Sequence, residues 1–208
     1  MQYPVKLSQI SAEKAIYIPD YKQVKEVYAS LIKIDPNTPF PFWAKLWPSS
    51  IALVNVLENN PNWIRDKHVL ELGAGIGLPS LMLAGLVKSI QVSDYADEAV
   101  ELLQKNIAHL NLMNVQALLL DWNHLPVSIQ PDVLILSDVN YDPSQFDTLI
   151  QIITSKILDG CTILLATPQR IMASPFVQAL ETYIQTTYVE VVNENASSIE
   201  ISILVLSK

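Results

Sequence analysis

The sequence predicts one α/β domain over residues 1–208: a doubly wound, mostly parallel seven-stranded sheet with a C-terminal antiparallel hairpin and an N-terminal helical extension. Three observations predict it. From residue 68 onward, short apolar runs alternate with amphipathic stretches, the pattern of a parallel sheet covered on both faces. Three of the chain's five glycines, Gly73, Gly75 and Gly77, crowd into one strand-to-helix turn. The last two apolar stretches, "YVEVVN" and "SIEISILVLS", are separated by only a short polar loop, "ENAS", and read as a hairpin in which one strand runs antiparallel.

The elements follow in order. In the extension, residues 1–67, "DYKQVKEVYASLIKI" reads as a helix with Val24, Val27, Leu31 and Ile34 inward. "DPNTPFPFWAKLWP" is a loop rich in proline and aromatics, and "SSIALVNVLEN" a helix with Ser49 or Ser50 near its cap. The core, residues 68–208, begins with the strand "HVLELGA", followed by the helix "LPSLMLAGLV" and the strand "SIQVSDY". "ADEAVELLQKNIAHLNL" is an amphipathic helix with Ala99, Leu102, Leu103, Ile107 and Leu110 on one face. "VQALLLDW" and "DVLILSDV" are strands; "SQFDTLIQIITSKIL" is a helix with Phe146, Leu149, Ile150, Ile153 and Ile157 at helical spacing. "CTILLAT" is a strand, and "PFVQALETYIQTT" a helix opened by a proline in its first turn.

Composition narrows the function. Half the residues are hydrophobic and 16% are charged, which excludes a disordered chain. No apolar run approaches the roughly 18–20 residues of a membrane span, and the N-terminus lacks a basic segment followed by an apolar one. The single cysteine, Cys161, lies in an apolar run. The expected location is the cytoplasm. Residues 1–45 carry six lysines against four acidic side chains, whereas residues 46–208 carry seven basic against seventeen acidic. Such a body repels a phosphate backbone, so neither nucleic acid nor membrane is expected as a partner, and a lysine-rich protein segment is tolerated better. His68, His109 and His124 lack ligand spacing, so no metal is expected.

The glycine turn "ELGAGIG" marks a ligand site. Glycine permits positive φ and close approach of the backbone, and in an open α/β sheet ligands bind at the carboxyl ends of the strands where strand order reverses. The spacing is G-x-G-x-G, preceded by Glu71, rather than the G-x-G-x-x-G of dinucleotide sites. Asp94, at the end of the next strand, can accept hydrogen bonds from both ribose hydroxyls of an adenosine. Asp121 and Trp122 end the following strand, where the carboxylate can take the adenine amino hydrogen and the indole can cover the ring.

The ordered set "ELGAGIG", "SDY", "LDW" and "SDVNY" resembles the class I, seven-strand S-adenosylmethionine-dependent methyltransferases, a Rossmann-like fold, and within them the methyltransferase family 16 group, which includes many protein-lysine methyltransferases. The resemblance covers roughly residues 40–208. It implies S-adenosylmethionine as cofactor, with Trp47 of "LWPSS" lining its pocket, Gly73 and Gly75 at the methionine half, Asp94 at the ribose, Trp122 at the adenine and Ser137 beside the cofactor; Glu71, Gly77, Tyr95 and Asp121 complete the expected cofactor-binding set. Asp138 and Tyr141 match the D-x-x-Y form of the signature after the fourth core strand. A carboxylate can orient the N–H bonds of a target amine, and an aromatic face can accommodate developing positive charge. Base methyltransferases carry two prolines between the corresponding positions; here they are Val139 and Asn140, which disfavours a base. The implied activity is N-methylation of a protein lysine. A small-molecule amine or pyridine nitrogen is the alternative acceptor, and a non-catalytic binding module the alternative of another class. Arg170, one of two arginines, could pair with Asp138 or Asp142, hold an acidic group of the substrate or lie on the surface, and receives no role; the sequence does not give the oligomeric state.

Overall fold

The computed structural model describes residues 3–194 and 197–208. Its first elements are two short antiparallel strands, β1 (Val5–Gln9) and β2 (Ala15–Pro19). Two helices follow, α1 (Tyr21–Leu31) and α2 (Pro48–Asn59). Then come β3 (His68–Leu72), α3 (Leu78–Leu83), β4 (Ser89–Asp94), α4 (Asp97–His109) and β5 (Val115–Leu119). The remainder is β6 (Val133–Ser137), α5 (Phe146–Leu158), β7 (Thr162–Pro168), α6 (Ser174–Ala179), β8 (Ile184–Glu194) and β9 (Ser197–Leu206).

Strands β3 to β9 form one sheet in the order β5-β4-β3-β6-β7-β9-β8. All pairs from β5 to β7 are parallel. Strand β9 lies antiparallel between β7 and β8, so the expected hairpin is present and closes the sheet; residues 195–196 of the expected "ENAS" loop lie outside the described residues. Strand order reverses between β3 and β6, which places the switch point beside the glycine turn.

Side chains alternate across the sheet. In β6, Val133 and Ile135 join Leu53, Leu57, Leu81 and Leu102 from α2, α3 and α4. Leu134 and Leu136 face the other way, into a core with Leu149 and Ile153 of α5 and Phe176 of α6. Both faces are covered, which is why the strands read as continuous apolar runs.

Three local expectations give way. The β1–β2 hairpin was not expected; its strands are short and only half-buried. A buried amide fastens it, since Asn106 of α4 accepts from Tyr17 N at 2.7 Å and donates to Tyr17 O at 3.0 Å. Helix α1 stops at Leu31, so Ile34 leaves the inward face and is 83% exposed. The helix expected over 175–187 ends at Ala179, because the β-branched and aromatic run from Ile184 enters the edge strand β8 instead. Helix α2 is entered through Pro48, with Trp47 in the cap position and no side-chain cap bond; Ser50 Oγ donates to Trp47 O at 2.7 Å.

Candidate active site

The carboxyl ends of β3, β4 and β6 open into a cavity of about 320 Å³. Its floor is the turn after β3, where Gly73, Gly75 and Gly77 all have positive φ (63°, 55° and 73°). A Cβ on Gly73 would stand 3.0 Å from Cζ3 of Trp122, so glycine lets this backbone lie against the indole. A Cβ on Gly77 would collide with Leu103 of α4, so that glycine sets the closeness of helix and turn. The Gly75 N–H donates to Asp94 Oδ2 at 2.8 Å, and Asp94 Oδ1 accepts from Ala96 N at 3.0 Å. Asp94 thereby joins the turn to the end of β4. Burial raises its pKa, and these backbone donors oppose the rise.

Gly73, Gly75, Gly77, Asp94, Tyr95, Trp47, Trp122, Ser137, Asp138 and Tyr141 all line this one cavity. Trp47 and Trp122 arrive from distant parts of the chain. Each is oriented by its indole N–H, donated to Phe42 O at 2.9 Å and to Gln145 Oε1 at 3.1 Å respectively. Tyr95 is exposed at the mouth, its phenol pKa raised by burial and by Asp94. The Ser137 hydroxyl is buried without a hydrogen-bond partner.

Two expected ligand contacts are not made by cavity-lining side chains. Glu71 is fully buried beneath the turn. Its Oε2 accepts from Ser80 N at 3.1 Å and from Ser80 Oγ, fastening β3 to α3, while Oε1 has no partner. Burial pushes its pKa to about 7, against the Ser80 hydrogen bonds, and Asp94 adds to the rise. Asp121 lies outside the cavity lining. Its carboxylate caps the next turn, accepting from Asn123 N at 2.9 Å and pairing with His124 at 3.0 Å. The Asn123 hydrogen bonds lower its pKa first, helped by His124. A carboxylate two residues before a tight turn finds backbone donors closer than any ligand.

Asp138 sits at the end of β6 with φ 58°, a left-handed conformation that Asp tolerates better than most residues. Its carboxylate is 6% exposed and meets the Arg170 guanidinium two-pronged, at 2.5 and 3.1 Å. The turn cap near Pro143 is Asp142, which accepts from Ser144 N at 2.9 Å. Tyr141 stacks obliquely on Phe42, ring centres 5.1 Å apart. Burial pushes its phenol to about 12, and Tyr95, Asp94, Asp142 and Asp138 add to the rise.

Sequence reasoning assigned no site role to Arg170, Phe42, Trp43, Lys45 or Met172, which also line the cavity. The aromatic density of "FPFWAKLW" was the available signal for Phe42 and Trp43. Nothing local marks Arg170, because its partner lies 32 residues away. Among the described residues no helix is long and apolar enough to cross a membrane, and no group of three His, Cys, Asp or Glu is placed to hold a metal.

Comparison with known proteins agrees on a family. The family described as lysine methyltransferase matches residues 30–186. A protein N-terminal and lysine N-methyltransferase, EFM7 of Cryptococcus neoformans, is 33% identical over 172 residues, 74% of this chain and 54% of that protein. The human histone-arginine methyltransferase METTL23 is 26% identical over 111 residues, 50% of this chain and 58% of that protein. The chain thus spans little more than half the length of these relatives. Two solved structures share the fold: a putative RNA methyltransferase from Pyrococcus horikoshii (TM-score 0.62, 15% identity, 89% of this chain and 96% of that one), and the N-methyltransferase NodS of Bradyrhizobium japonicum in complex with S-adenosyl-L-homocysteine (TM-score 0.62, 13% identity, 86% and 98%).

Proposed function

The chain belongs to the lysine methyltransferase family, and on that premise we propose that it is an S-adenosylmethionine-dependent N-methyltransferase acting on a lysine amine of another protein. The convergence of the glycine turn, Asp94, Trp122, Asp138 and Tyr141 on one cavity carries the reading. These residues fit the cofactor. The bare backbone at Gly73 and Gly75 leaves room that a Cβ would take beside Trp122 and Trp43. Asp94 has spent one lone pair per oxygen on backbone N–H groups, leaving capacity for ribose hydroxyls. Trp122 and Trp47 supply apolar faces for the adenine and the cavity wall, and Tyr95 and Ser137 stand beside them. When bound, S-adenosylmethionine supplies an electrophilic methyl group on a positively charged sulfur.

The chain's own residues orient the amine and manage its proton. Asp138 accepts an amine N–H, and the Tyr141 ring flanks the nitrogen. In the structure Arg170 pairs with Asp138; desolvation in the cavity favours the neutral amine over the ammonium. The Tyr141 phenol, pushed to about 12, stays protonated at neutral pH and is no base. Positioning and desolvation therefore supply the catalysis.

That shortage of a base favours a second acceptor, the α-amine of a protein N-terminus, with its pKa of about 7.7–8.0 against about 10.4 for lysine. The name of the Cryptococcus relative covers both amines. The test is incubation of the purified chain with cell extract and radiolabelled cofactor. Label on protein, mapped by mass spectrometry to lysine, supports the first acceptor, and label on an N-terminus the second. Label confined to small molecules overturns both.

A further inference from the structure

A second cavity, of about 710 Å³, opens beside the first at the same end of the sheet. It is bounded by the start of α2, the end of β7 and the paired ends of β8 and β9, at Ser49, Pro168, Val191 and Glu200. Four residues line both cavities: Lys45, Trp47, Asp138 and Arg170. They are the partition between the two spaces. It is built from ion pairs, Arg170 on Asp138 and Lys45 on Glu194 at 2.9 Å, with the Lys45 ammonium 4.3 Å from the Trp47 ring centre.

Two observations point to an occupant. Ser49 lines the second cavity, and its hydroxyl is buried without a hydrogen-bond partner. A buried hydroxyl left unpaired is costly, and a polar ligand group would relieve it. The charged lining holds three carboxylates, Asp138, Glu194 and Glu200, against two cations, Lys45 and Arg170, so the space has an excess of negative charge.

We propose that the second cavity is the acceptor's chamber: it receives the amine-bearing segment of the target protein, and the amine reaches the first cavity by taking the place of Arg170 on Asp138. The inference rests on the amine-methyltransferase reading above. A guanidinium seated on a buried carboxylate shows that the position already accommodates N–H donors. The Arg170 side chain is 31% exposed and has solvent to withdraw into, whereas Asp138, at 6%, stays fixed. Exchanging one cation for another avoids stranding a buried unpaired charge. Ser49 then bonds a polar group of the incoming segment.

The test uses n-butylammonium chloride as a stand-in for a lysine side chain, titrated into the ¹⁵N-labelled protein saturated with S-adenosylhomocysteine, against an equal concentration of sodium chloride. The Arg170 Nε–H and the Trp47 indole N–H should shift, and the indole of Trp122, which lines only the first cavity, should not. Ser198→Trp, at an exposed position that borders only the second cavity, should abolish those shifts. It should also reduce labelling of extract proteins at least tenfold while leaving S-adenosylhomocysteine affinity by calorimetry within twofold. Glu200→Lys, also exposed, should weaken labelling in the same way. Shifts at Trp122 alone, no shifts at all, or undiminished labelling in both variants overturns the chamber. A parent protein that binds no S-adenosylhomocysteine or labels no acceptor condemns the methyltransferase reading instead, and the butylammonium shifts still decide the chamber separately.

Discussion

Asp138 carries two demands at once, a left-handed backbone and a buried ion pair, and substitutions can separate them. Asn tolerates the backbone and loses the charge; Ala loses both. Asp138→Ala should therefore be less stable than Asp138→Asn by about 1 kcal/mol, read from denaturant midpoints. Both should lower turnover far more than cofactor affinity, because the contact with the acceptor tightens only toward the transition state; equal losses in the two quantities would contradict the assignment. Glu71 gives a different signature. Its pKa in the folded chain is raised from 4.5 to about 7, so the native state holds a proton that the unfolded state has released. Stability is thus greatest below the unfolded value and falls as pH rises through about 7, by on the order of 3 kcal/mol for this group. Thermal melts from pH 5 to 8 should show a shallower decline in Glu71→Gln, with the remaining slope belonging to Asp94, whose pKa is raised in the same direction. At this scale the sequence named residues that the fold brings to one cavity, such as Gly73, Asp94, Trp122 and Tyr141, because neighbours in each motif mark them. It did not foresee that the Asp121 carboxylate turns to Asn123 and His124 outside the cavity lining, and it offered Asp138 only as one of several partners for Arg170, because folding supplies the choice.

Elements were legible where apolar periodicity was strong. Helix α5 buries Phe146, Leu149, Ile153 and Ile157 as their spacing requires, and every core strand stands where an apolar run announced it. The β1–β2 hairpin was illegible because its anchors are long-range: Asn106 on Tyr17, Lys14 on Met82 O and Ile16 in the core, none of them encoded in a local pattern. Asn106→Leu should strand Tyr17 N–H and C=O, cost roughly 2–4 kcal/mol and make residues 5–19 the first site of limited proteolysis; unchanged cleavage would show that the hairpin holds by other means. Gly77→Ala places a methyl group in a left-handed turn against Leu103. The combined backbone and packing penalties amount to roughly 2–4 kcal/mol. Chemical denaturation measures the loss directly, and a much smaller one would mean that α4 can slide away.

The whole molecule is acidic, with a net charge of −8, and both cavities open at the carboxyl end of the sheet. A cationic acceptor should therefore be drawn in by a field that salt screens. Raising ionic strength from low salt to about 0.3 M should increase the acceptor KM severalfold, with S-adenosylhomocysteine affinity changing less than twofold; a salt-independent KM would argue for a neutral acceptor. Trp47 and Trp122 reach the first cavity from opposite sides of the glycine turn in the chain, and Lys45 in the partition finds Glu194 149 residues later. Strand β9 must also insert between β7 and β8 before the second cavity has a wall. On the ribosome, Trp47 and Lys45 are made long before anything exists for them to close against. A nascent chain halted after β7 would have the glycine turn, Asp94 and Asp138 in hand, yet lack Glu194, Glu200 and the far wall of the chamber. The two cavities are thus completed by different parts of the chain: the first by the turns after β3, β4 and β6, the second by the last hairpin.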